Sequence, residues 1–164
     1  MCSITIIRAA LTAVGLLFLP GMVGVVSAAA PTDACMLLSQ AQVAMALGVE
    51  VDAGRHIIGA GDCRWTQPGK PGADVALLQV NLSKPQSFET GRTPISGWTK
   101  TSVSGIGDDA YAADSGKITF PTSPSLSVKK GSVYFAVAAK VPKASLAQIQ
   151  AIEKTVASRI LEKL

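Results

Sequence analysis

The chain has 164 residues, a formal charge of +4, three cysteines and a single histidine. Its length suits one domain, and no internal repeat, low-complexity run or interdomain linker divides it. The Lys and Arg residues stand singly apart from Lys129-Lys130 and are not interleaved with aromatics, which argues against a nucleic-acid-binding face.

Residues 1–8 (MCSITIIR) carry one positive charge and residues 9–26 are apolar. Ser27-Ala28-Ala29-Ala30 then offers small residues to a signal peptidase. This order predicts a secretory signal peptide over 1–29 and a single mature domain over 30–164. An uncleaved leader is the alternative, because an apolar run of this length can just span a bilayer, and it is the only route to a membrane that the sequence offers. Cys35 lies beyond Pro31-Thr32-Asp33-Ala34 instead of closing the apolar run, so a lipid-bearing cysteine at the cleavage site is not expected. Without the leader about 135 residues remain with a charge of about +3, enough for a weak attraction to anionic envelope polymers. In a periplasmic or secreted protein, Cys35 and Cys63 have only each other to pair with, since Cys2 leaves with the leader.

Ser39-x-x-Gln42 is a capping-box pattern, and Val43, Ala46 and Leu47 follow on one face before Gly48. A short amphipathic helix is predicted over 40–47, with Leu37 and Leu38 as an apolar lead-in. Residues 49–60 alternate imperfectly and suggest a short edge strand. Cys63-Arg64-Trp65-Thr66 reads as a strand, and Pro68 to Gly72 as a loop. From Val75 to Ser83, Leu78, Val80 and Leu82 alternate with Gln79, Asn81 and Ser83, which suits an antiparallel sheet with one polar face.

Residues 84–100 resist assignment, although Phe88, Ile95 and Trp98 are enough to anchor a short helix or ordered loop on the core. Val103 to Tyr111 reads as a glycine turn entering a strand, and Pro121 and Pro124 mark a further loop. Leu126–Lys129 and Val133–Val137 flank Lys130-Gly131-Ser132, a hairpin signal. From Ala144 to Leu164, Leu146, Ile149, Ile152, Val156, Ile160 and Leu164 recur at helical steps. Glu153, Lys154, Arg159 and Glu162 lie mostly off that line. The expected fold is a two-layer α+β domain: a curved antiparallel sheet with a short N-terminal helix and a long C-terminal helix packed on it.

Few residues suggest chemistry. Redox work by the cysteine pair is disfavoured because catalytic disulfides usually come as C-x-x-C. A zinc site from Cys35, His56 and Cys63 lacks the close spacing of structural sites, and oxidation would consume both thiolates, so neither metal nor cofactor is expected. A hydrolytic triad needs His56 between a serine and a carboxylate, and no serine stands in a G-x-S-x-G elbow. Gly105-Ile106-Gly107-Asp108-Asp109 lacks the third glycine of a dinucleotide loop and the spaced oxygens of a calcium loop. Its adjacent carboxylates would point to opposite faces of a strand, so a tight turn accounts for it. Trp65, Trp98 and Tyr111, with Phe88, are candidates to line a pocket for a small apolar or sugar ligand, and equally to fill the core. With His56, the first three form the possible pocket or surface site.

Taken together, Cys35-Met-Leu-Leu-Ser39-x-x-x-Val43-x-x-x-Leu47-Gly48, Cys63-Arg-Trp65, Gly105-Ile-Gly107-Asp108-Asp109-Ala110-Tyr111 and a C-terminal helix resemble small secreted bacterial proteins of unknown function, many of them lipoproteins. The resemblance implies a Cys35–Cys63 bridge and a PsbP-like or LpqN-like α+β layer, and it implies no catalytic residue. The chain departs from the lipoproteins in lacking a cysteine at the cleavage site. The function expected is that of an exported, non-enzymatic accessory or binding domain of the bacterial cell envelope. Its partner would be another envelope protein or a small ligand; a toxin-neutralising or enzyme-inhibiting module belongs to the same class and would show as a protruding loop such as 84–100. The alternative is a small periplasmic hydrolase using His56 with a carboxylate such as Asp62 or Asp108.

Overall fold

The computed structural model describes residues 30–70, 72–117 and 124–164; the expected leader, 1–29, and the loop expected at Pro121 lie outside them. Near the N-terminus the Asp33 carboxylate accepts the Cys35 N–H at 2.8 Å and starts a single tight turn, Ala34–Met36. Helix α1, Gln40–Leu47, follows as expected. The Ser39 hydroxyl accepts the Gln42 N–H at 3.2 Å, and the Gln42 side chain accepts the Ser39 N–H at 2.8 Å. Two otherwise orphaned donors are thereby satisfied. The helix stops at Gly48, whose φ of 70° is left-handed and costs a glycine little.

Among the described residues, seven antiparallel strands form one sheet in the order β1-β2-β3-β7-β6-β5-β4. They are β1 (Arg55–His56), β2 (Asp62–Thr66), β3 (Leu77–Ser83), β4 (Thr99–Ser102), β5 (Asp109–Asp114), β6 (Ser125–Lys130) and β7 (Val133–Lys140). The chain builds one meander, β1–β2–β3, and crosses to the far edge through helix α2 (Pro85–Arg92). It then returns by a second meander until β7 pairs with β3, from Leu77 opposite Lys140 to Ser83 opposite Tyr134. Of the strand pairings in the sheet it joins the segments farthest apart in sequence and so carries the largest loop-closure cost. The extended segment expected over 49–60 contracts to Arg55–His56, which pairs with Arg64 and Cys63.

Helix α3, Leu146–Leu161, opens on a second capping box, Ser145 with Gln148. Its buried face, with Ile149, Val156, Ala157 and Ile160, lies across β6 and β7 in one core with Leu126, Val128, Phe135 and Val137. Helix α1 packs beside it, and Arg159 donates to the Gln42 carbonyl at 3.4 Å.

The sheet does not carry helices on one face only. Because strand side chains alternate, Tyr111, Ala113 and Tyr134 point away from α3 and form a second small core with Phe88 of α2. The Phe88 ring lies 5.1 Å from Tyr111 and 5.5 Å from Tyr134, the latter edge-on. The unassigned stretch 84–100 is therefore a helix and the start of β4, with a covering layer of its own. Pro85 sits at the first helical position, where its missing N–H costs nothing. Lys100 of β4 donates to the carbonyls of Gly91 and Thr93, closing the C-terminal end of that helix. Ile95, expected to anchor this segment, is exposed.

Cys35 and Cys63 are bonded, with Cα atoms 5.1 Å apart across 28 residues of sequence. The bond ties the N-terminal turn to β2 next to Trp65, which is fully buried. Gly54 presses against both: a Cβ there would stand 2.7 Å from Cys63 Sγ and 2.7 Å from Trp65 Cε2.

In the chain-entropy account, replacing both cysteines by alanine should lower the unfolding free energy by about 3–4 kcal/mol, read as a shift of the urea midpoint. Gly54→Ala in the oxidised protein should cost about 1–3 kcal/mol by overpacking, and an unchanged midpoint would contradict that contact.

Candidate functional site

Helix α3 stands off the sheet at its β4–β5 edge, where Ala112 offers only a methyl group. The gap is a pocket of about 320 Å³. Its sheet side is Ala112 and Leu126, its rim the β4 end and following loop with Thr101, Ser104 and Val103. From α3 come Gln150, Glu153 and Lys154. The walls thus combine hydroxyls, an amide, one ammonium and one carboxyl group with a short apolar floor.

Glu153 is the residue that the sequence reading misplaced. It is 1% exposed, in the middle of the buried face of α3 rather than among solvated charges. Its position explains this: it lies four residues after Ile149, three before Val156 and four before Ala157, all buried. Its Oε1 accepts the N–H of Ala139 at 3.2 Å, two residues beyond the last β6–β7 pair, Leu126 with Val137. The carboxyl group therefore terminates a ladder that the strands themselves leave open. Burial pushes its pKa up to about 8, the Ala139 N–H opposing the shift and the charge of Asp114 adding to it. At neutral pH Glu153 is a neutral acid, able to donate a hydrogen bond as well as accept one.

The four residues expected to form a site do not converge. Trp65 is buried in the main core beside the disulfide. His56 is exposed at the opposite edge of the sheet. Trp98 and Tyr111 do meet, with Arg92, Lys100 and Ser102, around a pocket of about 240 Å³ on the α2 face. The cations there are already engaged. Arg92 donates to Asp109 at 2.6 Å and stacks over Phe88 at 5.0 Å, while Lys100 closes the α2 terminus. That neighbourhood holds Asp109 below the usual carboxylate range, chiefly through the Arg92 hydrogen bond.

His56 lies over the disulfide. Its Nδ1 is 3.1 Å from the main-chain carbonyl of Asp62 and 3.7 Å from Cys35 Sγ. Nε2 faces Asp33 at 3.6 Å. The carboxylate beside the histidine is thus Asp33, neither Asp62 nor Asp108. Asp62 points to the other face, where its Oδ2 accepts from Gln79 at 2.7 Å and Asn81 at 3.3 Å, and its buried Oδ1 meets no donor. Asp33, Cys35 and His56 bring three possible ligand atoms within 4.8 Å of one another. The Cys35 sulfur is committed to the disulfide, however, leaving one imidazole and one carboxylate.

Asp108 belongs to the glycine turn. It accepts from Lys130 Nζ at 2.8 Å and from the Gly131 N–H at 2.7 Å, which together hold its carboxyl below the usual range. It thereby ties the turn before β5 to the β6–β7 hairpin.

No protein-family model matches this chain, and no curated protein or solved structure matches it significantly. Among the described residues, no helix is long and apolar enough to cross a membrane.

The raised pKa of Glu153 has a definite sign for stability. Below the ordinary value of 4.5 both folded and unfolded chains are protonated; above it only the folded state keeps the proton, until about pH 8. The contribution is therefore complete below 4.5 and is lost as pH rises towards 8. Wild type should lose stability across that window with a slope approaching 1.4 kcal/mol per pH unit, about one proton's worth. Glu153→Gln, whose amide oxygen can still accept the Ala139 N–H, should lack this component in urea unfolding. Parallel pH profiles for the two proteins would contradict the assignment.

Proposed function

We propose that this chain is an exported, non-enzymatic binding domain of the bacterial cell envelope that holds a small ligand between α3 and the β4–β5 edge. The observation that carries the reading is the buried carboxyl group of Glu153 in that pocket's wall. A carboxyl group placed there costs stability at neutral pH, and an apolar residue at this helical position would fill the core more cheaply. Groups held in unfavourable ionisation states inside a concavity favour a functional role. The disulfide is consistent with an oxidising compartment, and the leader-like N-terminus favours the periplasm or the exterior. The likeness to small secreted bacterial proteins supports the same address. An accessory role toward another envelope protein remains compatible with this reading, with the ligand as what it senses or presents.

The hydrolase alternative keeps one point of support, the approach of His56 to Asp33.

The test is extraction of the protein purified from its own compartment, followed by mass spectrometry of the small molecules released. Wild type should carry a compound that is missing from Ala112→Phe, whose ring would occupy the pocket, once melting curves have shown the variant to be folded. Identical extracts from the two proteins would contradict the binding reading. Turnover of the compound that His56→Ala abolishes would replace it with the hydrolase.

A further inference from the structure

We infer that the pocket between α3 and the β4–β5 edge takes a small organic anion: a single carboxylate head on a short apolar body. Lys154 and the Glu153 carboxylic acid would grip the head, and Ala112, Leu126 and Val103 would cover the body. The inference rests on the binding reading above and adds the ligand's chemical class.

Charge sign and size select this class of ligand. Among the described residues lining the pocket, Lys154 supplies the one cation and Glu153 the one acidic group. Burial keeps Glu153 protonated at neutral pH, so the lining residues themselves present one positive charge and no negative one, and the Asp114 carboxylate acts from outside the lining. An amine would find no counter-charge among the lining residues, whereas a carboxylate meets an ammonium and, from Glu153, an O–H donor. A neutral acid donating to an oxyanion gives a strong, short hydrogen bond because the acceptor is charged. Thr101, Ser104 and Gln150 add further neutral donors. One cation matches one charge, which disfavours a phosphate dianion. About 320 Å³ is at the small end of ligand pockets and excludes a long acyl chain.

The same arrangement makes binding depend on pH. The charged group that acts on Glu153 is Asp114 at the end of β5, and Lys154, next on its own helix, lines the same pocket. From β6 and β7 come Leu126, in the same pocket wall, and the Ala139 N–H that Glu153 accepts. When Glu153 ionises, the donor disappears and a negative charge faces the bound carboxylate. Affinity for an anion therefore falls with rising pH, and affinity for an amine rises.

The probes are butyrate, 1-butanol and n-butylamine, titrated at pH 6 and pH 9 while the methyl resonances of Val103 and Leu126 are followed. Butyrate should bind best at pH 6 and about tenfold more weakly at pH 9, a difference of about 1.4 kcal/mol. Glu153→Gln should bind butyrate equally at both pH values, and Lys154→Gln should weaken it at both. The anion inference is overturned if butanol or butylamine binds as well as butyrate at pH 6. It is equally overturned if wild-type binding ignores pH, or if Lys154→Gln leaves butyrate binding unchanged. Silence of both methyl groups toward all three compounds would instead overturn the pocket as a binding site.

Discussion

The seam between α3 and strands β6 and β7 is where the main core closes, and a carboxyl group sits in its middle. Around Glu153 the helix buries Ile149, Val156 and Ile160 against Leu126, Val128, Phe135 and Val137. An ionised carboxylate in such a place would be costly, so the seam stays closed most easily with the proton in place. The Ala139 N–H then has its acceptor, and the sheet ladder ends without an orphaned donor. The same group that completes the backbone accounting also faces the pocket. Packing, hydrogen bonding and the candidate site meet in one side chain.

The rest of the molecule braces that seam from both ends. At one edge of the sheet the Cys35–Cys63 bond holds the N-terminal turn to β2, with Trp65 and Gly54 packed against it. At the other edge α2 and its Phe88 cluster clamp β5 and β7 from the opposite face, reinforced by the Arg92–Asp109 ion pair. The pocket opens between these braces, where the two-strand edge β4–β5 runs past the covering helix.

What the sequence made legible was local. The capping box at Ser39 and Gln42, the stop at Gly48, the alternation around Leu78 and Val80 and the Gly131-Ser132 hairpin are short-range signals, and each element stands where they place it. The cysteine pairing followed from having two candidates. Helix α2 was less legible because one aromatic, Phe88, is its whole buried face, and its C-terminal cap comes from Lys100 on the next strand. Pro85 at its first position was the available clue. Glu153 was misjudged because a carboxylate in a helix ordinarily marks the solvent side. Its spacing from Ile149 and Val156 placed it on the buried face, but only the unpaired Ala139 N–H, a feature of sheet register, gives it a reason to be there. Pairing His56 with Asp62 or Asp108 failed for a similar cause: the β1–β2 register turns the Asp62 carboxylate to the far face, and Asp33 comes close only through the disulfide turn.

The account turns on whether the Glu153 carboxyl holds its proton in the folded protein at neutral pH. Direct titration of its side-chain carbon by NMR, with Glu153→Gln used to assign the signal, measures this. A midpoint near 8 is the predicted result. A midpoint near the ordinary 4.5 would mean that the group is ionised in the seam, and the neutral-acid pocket would have to be given up.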